Sequence, residues 1–406
     1  MKVVHINYSD AYGGAAIAAF RHCEAMCKAG IDATLLVCNK SRNDRFVYQI
    51  GTKSSKYKFL LKSVMTSKII NYIFQPWASF SYPFFTVPIS KHTLLKEADI
   101  IYIHWVSNSM LSTKEIERIL NLGIPVRWFM HDMNPITGGC HHAIDCDGYK
   151  STCKSCPFIS NPLGIQIAKI QYKKRKRLWT KYQNLEAYTP SHWLAKRVEE
   201  SSLWKKHKVT VFPNVINTDK FRPMNNKISM RNILNLSYDK KMILIGAANL
   251  SSEYKGWKYL REALNKLDSC KYEALIFGHK NEQIENEVNI PCNFLGYLND
   301  EIALIVAYNA SDIFVSSSLA ENYPNVIMEA MACGLPCVGF NIGGIPEQIC
   351  HKVNGYIATP KDSEDLANGI EFICNLSPQK YQEMCTECRK FVVSKASYKL
   401  YKSFTC

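Results

Sequence analysis

No aspartate or glutamate occurs between Arg45 and Lys96 of this 406-residue chain, although Lys53, Lys56, Lys58, Lys62, Lys68 and Lys91 lie in that stretch. A run with one sign of charge excludes an ordinary mixed-charge surface and points to something negative outside it. The whole chain has a formal net charge of +15. Such an excess suits nucleic acid, an anionic membrane or an acidic substrate. RNP-like aromatic patterns and other nucleic-acid motifs are missing, so nucleic acid is set aside. Spanning segments are missing too. The uncharged run between Lys68 and Lys91 has 22 residues, but three prolines, an asparagine and a glutamine break it. No signal peptide is expected either, because the apolar run in "MKVVHINYSD" is short and no small-residue cleavage site follows. Without one, the sixteen cysteines are expected as reduced cytoplasmic thiols rather than a disulfide framework.

What is present alternates. "KVVHINY", "DATLLVC", "ADIIYIHW", "PVRWFMHD", "NLEAYTPS" and "KVTVFPN" read as strands separated by helical segments such as "GGAAIAAFRHCEAMCKAG". A second series, "KMILIGAAN", "YEALIFG", "CNFLGYL", "DIFVSSS" and "LPCVGF", follows a polar stretch at 213–235 that reads as a linker. This punctuation implies parallel sheets in two α/β domains. Residues 53–90 interrupt it. "KYKFLLKSVMTSKIINYIF" sets Tyr57, Leu60, Leu61, Val64, Met65, Ile69 and Ile73 on one helical side, with lysines around them. Trp77, Phe80, Tyr82, Phe84 and Phe85 come next. A basic amphipathic helix followed by aromatics reads as an element for an anionic membrane surface, or as an insert packed on its own domain.

The stretch "ENYPNVIMEAMACGLP", from Glu321 to Pro336, holds two carboxylates eight positions apart. Pro324 suits a first helical turn, Asn322 is an N-cap type, and Gly334 with Pro336 ends the helix. The helix is predicted from about Pro324 to Cys333. Its start offers backbone N–H groups and the positive dipole end, which suit phosphate. Carboxylates suit the paired hydroxyls of sugars. A nucleotide diphosphate sugar combines these features: ribose at Glu329, phosphates at the helix start, sugar at Glu321.

This region resembles the E-x7-E signature of retaining glycosyltransferases of the GT-B fold, family 4. "YSDAYGGAA", "HD" at 131, "PSHW", "FPNVINTDKF", "KG" at 255 and "FLGYL" match in the family's order. The resemblance implies two Rossmann-like doubly wound domains facing across a cleft, an acceptor-side domain over 1–212 and a donor domain over 213–388. It also implies that 389–406 crosses back to the first domain. The implied donor-binding residues are Gly13, Gly14, Asn249, Lys255, Tyr323, Pro324, Asn325 and Glu329. His131 and Glu321 are implied beside the reacting sugar, and Lys255 on the diphosphate. One departure stands out: the family's G-R-L arginine is replaced by "GAANLSS". No cofactor is required for such chemistry. The implied partners are a nucleotide diphosphate sugar and a glycan, lipid-linked where the basic insert meets the inner membrane face. A catalytically silent sugar-nucleotide binder, or a membrane-docked assembly protein, is the rival reading.

A separate constellation lies in the loop 140–156. Cys140, Cys146, Cys153 and Cys156 cluster there, with His141 and His142 among them. Four thiolates suit a tetrahedral structural zinc. The spacing lacks the paired C-x2-C of a zinc ribbon, so free cysteines or a disulfide remain alternatives.

Overall fold

The computed structural model describes all residues except 77–78, 225, 247–251, 279–286, 299 and 405–406, and except the side chains of 53–54 and 403–404. The chain divides into two compact units, Met1–Val215 with Tyr401–Cys406, and Ile216–Leu400.

Unit 1 is built on β1 (Lys2–Ser9), β2 (Asp32–Asn39), β3 (Val47–Gln49), β4 (Ile100–Ile103), β5 (Val126–Phe129), β6 (Leu185–Thr189) and β7 (Val209–Val211). They form one sheet in the order β3-β2-β1-β4-β5-β6-β7. Every pairing is parallel. Parallel strands covered on both faces favour continuous apolar runs, which explains "VVHI" and "TLLVC". The strand order reverses between β1 and β4, and the carboxyl ends there are where such sheets place ligands. Unit 2 repeats the plan with β8 (Lys241–Gly246), β9 (Tyr272–Phe277), β10 (Cys292–Gly296), β11 (Ile313–Ser316), β12 (Cys337–Phe340) and β13 (Gly355–Ala358). The order is β10-β9-β8-β11-β12-β13, again all parallel, with its reversal between β8 and β11.

Three segments differ from expectation. The stretch 213–235 is not a free linker from Ile216 onward. Ile216 and Phe221 are buried, and helix Lys227–Ile233 carries Arg231, which donates to Asp312 at 2.6 Å. The division therefore falls three residues after 212. The last long helix, Pro378–Lys395, belongs to unit 2, where Met384, Cys388 and Val392 are buried and Arg389 donates to the Phe221 and Ala332 carbonyls. From Tyr401 the chain belongs to unit 1, where the Tyr401 hydroxyl bonds His22 at 2.7 Å.

The insert is the third. Helix Lys53–Ile73 packs on unit 1 through Phe59, Thr66, Ile70, Ile73 and the following Phe74, so the apolar stripe is engaged only at its C-terminal end. Thr66 shares a 2.7 Å hydrogen bond with Ser109. Tyr57, Leu60, Leu61, Val64 and Met65 are all exposed, with Tyr57 at 73%. The aromatics behind the helix are mainly internal: Phe80 is buried, and Phe74, Phe80, Tyr82 and Phe84 form one ring cluster. Trp77 lies outside the described residues.

Candidate functional site

In unit 2 the site grows from the carboxyl end of β11. The chain leaves β11 through Ser317 and Ser318 and reaches Glu321. Two glycines clamp it. A Cβ at Gly343 (φ +62°) would lie 1.7 Å from the Glu321 carbonyl oxygen, and one at Gly256 (φ +66°) 2.1 Å from the Ser317 carbonyl oxygen. Both positions need glycine for space as well as for φ. Ser317 donates to the Lys255 carbonyl at 2.8 Å, and the Leu319 N–H to the Tyr254 carbonyl at 2.7 Å. This lacing brings Lys255 to Glu321. Lys255 Nζ donates to Glu321 Oε1 at 2.5 Å, and both side chains are 19% exposed. Burial pulls the Lys255 ammonium down, but the Glu321 carboxylate and the Tyr254 hydroxyl outweigh it and hold the pKa above its ordinary value. A charged pair at a semi-enclosed strand end can bind a polyanion with the cation and hydroxyls with the carboxylate.

The helix beyond is Asn325–Ala332, and Pro324 occupies the N-cap position with no side-chain cap. Asn322 is not the cap. Glu329 sits in the second turn at 3% exposure and accepts a 2.9 Å hydrogen bond from the Tyr308 hydroxyl. Tyr308 was not legible as a site residue, because it stands 21 residues away on another helix. Tyr323 is buried, and burial pushes its hydroxyl pKa up. The Pro324 carbonyl accepts from the Gln348 amide at 3.2 Å, so helix Ile345–Gln348 braces the start of helix Asn325–Ala332. Asn249 lies outside the described residues.

In unit 1, Gly13 begins helix Gly14–Lys28 at φ +89°, with open space where a Cβ would stand. The glycine is required for the turn, and the helix start is exposed at Gly13 and Gly14. No acidic residue occupies the first turn. His131 follows β5 and ends a chain of three imidazoles. His5 Nε2 lies 3.3 Å from the Met26 sulfur, His5 Nδ1 2.8 Å from His104 Nε2, and His104 Nδ1 2.9 Å from His131 Nε2. The thioether has no proton to give, so His5 is protonated on Nε2. Its Nδ1 then accepts from His104, and His104 Nδ1 accepts from His131. His131 Nδ1 is thereby the acceptor nitrogen. Burial keeps the chain neutral: it pulls His5 down to about 3 and His131 to about 4, and holds His104 well below its ordinary value. His5 and His104 were missed in the sequence. A histidine ending the "IYIHW" strand was the available signal.

Asp132 has a different role. Its Oδ2 pairs with His141 Nδ1 at 2.6 Å and accepts from the Trp105 indole at 3.1 Å, and Oδ1 accepts from the Asn134 N–H at 2.8 Å. Burial pushes the carboxyl up, but His141 and the Asn134 N–H more than reverse it, so the pKa is lowered. His141 Nε2 meets Ser81 Oγ at 2.7 Å. The Ser81–His141–Asp132 chain has the connectivity of a hydrolase triad. Ser81 is buried, however, so the chain acts as a latch between the insert and the sheet end.

The four loop cysteines line one small pocket of about 10 Å³. Burial pushes the thiols of Cys140, Cys153 and Cys156 up, that of Cys153 to about 12. Among the described residues no group of three or more His, Cys, Asp or Glu is disposed to hold a metal ion. The expected zinc ligands are gathered but are not set as a coordination shell.

These two units define a protein of the GT-B fold. A glycosyltransferase from Rickettsia africae has the same architecture, with a TM-score of 0.65 at 15% identity over 100% of this chain and 96% of that one. The Anabaena protein HepE, solved with UDP-glucose, gives 0.63 at 16% identity over 100% and 98%. Within unit 2, residues 240–375 match the family model described as Glycosyl transferases group 1. An uncharacterized glycosyltransferase of Methanocaldococcus jannaschii is 28% identical over 235 residues, 55% of this chain and 57% of the relative. The N,N'-diacetylbacillosaminyl-diphospho-undecaprenol alpha-1,3-N-acetylgalactosaminyltransferase of Campylobacter jejuni is 29% identical over 177 residues, 42% and 46%. The chain spans about half the length of the curated relatives it matches.

Proposed function

We propose that the protein is a retaining glycosyltransferase that moves a hexose-type sugar from a nucleotide diphosphate to a growing glycan of surface polysaccharide. The observation that carries this reading is the Lys255–Glu321 pair, clamped at the β11 end beside a helix that buries Glu329. In this reading Glu329, oriented by Tyr308, takes the ribose hydroxyls. Lys255 leaves Glu321 to meet the diphosphate, where charge develops as the donor bond breaks. Glu321 positions the sugar hydroxyls. The acceptor oxygen bonds to the anomeric carbon on the face the diphosphate leaves, and its proton passes to the departing phosphate oxygen. No protein nucleophile is needed. The resemblance assigns His131 to a sugar hydroxyl, and an acceptor Nδ1 suits that role.

A lipid-linked acceptor is supported by the exposed apolar face of helix Lys53–Ile73 and its lysine fringe, and the protein would act peripherally at the inner membrane face. Among the described residues no helix is long and apolar enough to cross a membrane. A thermal-shift screen of UDP-, GDP- and dTDP-sugars tests the donor, since binding at 100 times Kd adds roughly 2.7 kcal/mol. Transfer or donor hydrolysis by the stabilising sugar supports the enzyme. Stabilisation without any turnover would leave a silent binder.

A further inference from the structure

A groove on unit 1 is lined by none of the residues assigned above to the donor or the sugar. Helix Thr113–Leu120 and helix Pro162–Trp179 form its walls, Tyr82 and Pro83 of the insert contribute to its lining, and it holds about 600 Å³. Its charge is one-sided. Lys114, Lys174, Arg177 and Lys181 line it against a single carboxylate, Glu117. Lys181 lies 3.7 Å from Glu117, while Lys114, Lys174 and Arg177 make no ion pair among the described residues. The residue that distinguishes this groove from a merely basic surface is Gln171. It lines the groove at 2% exposure, and neither its Nε2 nor its Oε1 has a hydrogen-bond partner. An orphaned buried amide is destabilising unless something completes it. Ser112 caps helix Thr113–Leu120, accepting from the Glu115 N–H at 3.3 Å, so the positive end of that helix joins the same wall.

We propose that this groove binds a phosphate or diphosphate ester. Lys114, Lys174 and Arg177 supply the charge, and the Gln171 amide, turning from its buried position towards the groove, donates from Nε2 to a phosphate oxygen and accepts at Oε1 from a hydroxyl of the esterified group. Leu178 and the Tyr82 ring give that group an apolar wall. The proposal does not rest on the donor reading, because no donor residue lines the groove.

Lysine acetylation of the full chain, read peptide by peptide by mass spectrometry, tests it. The probes are inorganic diphosphate and, separately, phosphatidylcholine vesicles with and without phosphatidylglycerol. A saturating probe should slow acetylation of Lys114 and Lys174 about tenfold, as nine-tenths occupancy requires, and leave Lys390, which is 71% exposed, unchanged. Gln171→Met keeps the length and removes both orphaned atoms. It should raise the half-protecting concentration about tenfold or more without lowering the unfolding midpoint. Protection by free diphosphate supports a site for soluble or glycan-borne phosphate. Protection by phosphatidylglycerol vesicles alone supports a lipid head group as the source. Protection by neither probe overturns the site, as does equal protection of Lys390 or of the Gln171→Met groove, which would mean counter-ion attraction only. Lys255 in the same digest reports on the donor site, so the two readings fail separately.

Discussion

Arg175 belongs to the most basic run of the chain, yet its guanidinium is inside. It donates from Nη1 to the Asn134 and Thr137 carbonyls at 2.5 and 2.8 Å, and from Nη2 to Asn134 Oδ1 at 3.1 Å. Burial lowers its pKa to about 10, so it remains charged at neutral pH. These bonds fix the turn that follows His131 and Asp132. Arg175→Met keeps the bulk but takes the donor from the Thr137 carbonyl and from Asn134 Oδ1, while the Asn134 carbonyl keeps the Thr137 N–H at 3.2 Å. Their desolvation should cost about 3 kcal/mol. Urea unfolding should show the midpoint falling with an unchanged slope. A loss under about 1 kcal/mol would mean that water replaces the guanidinium. The same scale governs the Lys255–Glu321 pair. Lys255 and Glu321 neutralise each other, so a donor diphosphate bound as proposed would trade one ion pair for another.

At the scale of elements, helix Lys53–Ile73 has two faces that the sequence pattern ran together. Its apolar stripe is legible from the 3.6-residue period. Which face packs is not, because Thr66 bonds Ser109 and Ile70 packs into a cluster with Phe158, Ile159 and Ala168, residues that only the fold brings there. Changing Lys58, Lys62 and Lys68 to Glu should abolish sedimentation with anionic vesicles, since each lysine contributes roughly 1 kcal/mol near such a surface. Sedimentation indifferent to that change and to salt would remove the membrane reading. The cysteine loop makes its own claim. If the gathered thiols close on zinc, protein purified without chelator carries stoichiometric zinc and Cys153→Ser loses it; elemental analysis finding no metal would end that proposal. The parallel strands were legible because burial on both faces demands unbroken β-branched runs. The short edge strands β3 and β13 were not, for they lack such runs. The imidazole chain was hidden for another reason: His5 and His104 stand 99 residues apart and meet only because β1 and β4 pair.

At the scale of the whole molecule, unit 1 concentrates an acid sensitivity. His5, His104 and His131 are held neutral by burial, so the unfolded chain binds more protons than the folded one below about pH 6.5. Their contribution is complete above that pH and is lost as pH falls, towards about 4 for His131 and about 3 for His5. Asp132, with its lowered pKa, works in the same direction at still lower pH. At pH 5 His131 alone should cost roughly 2 kcal/mol. Urea titrations at pH 7 and pH 5 should therefore show a large loss, and His131→Gln should reduce it. An unchanged midpoint would mean that the folded imidazoles titrate as they do in the unfolded chain and that burial does not hold them neutral.

The division of labour within unit 2 is tested most directly by titrating the stabilising sugar nucleotide, and its free nucleotide, into wild type, Glu329→Ala and Glu321→Gln by calorimetry. Glu329→Ala should weaken both ligands by about 1.5–3 kcal/mol, because both carry the ribose. Glu321→Gln should weaken the sugar nucleotide, depress transfer and spare the free nucleotide. Equal affinities for both ligands across all three proteins would contradict the account, since neither Glu321 nor Glu329 would then touch the donor.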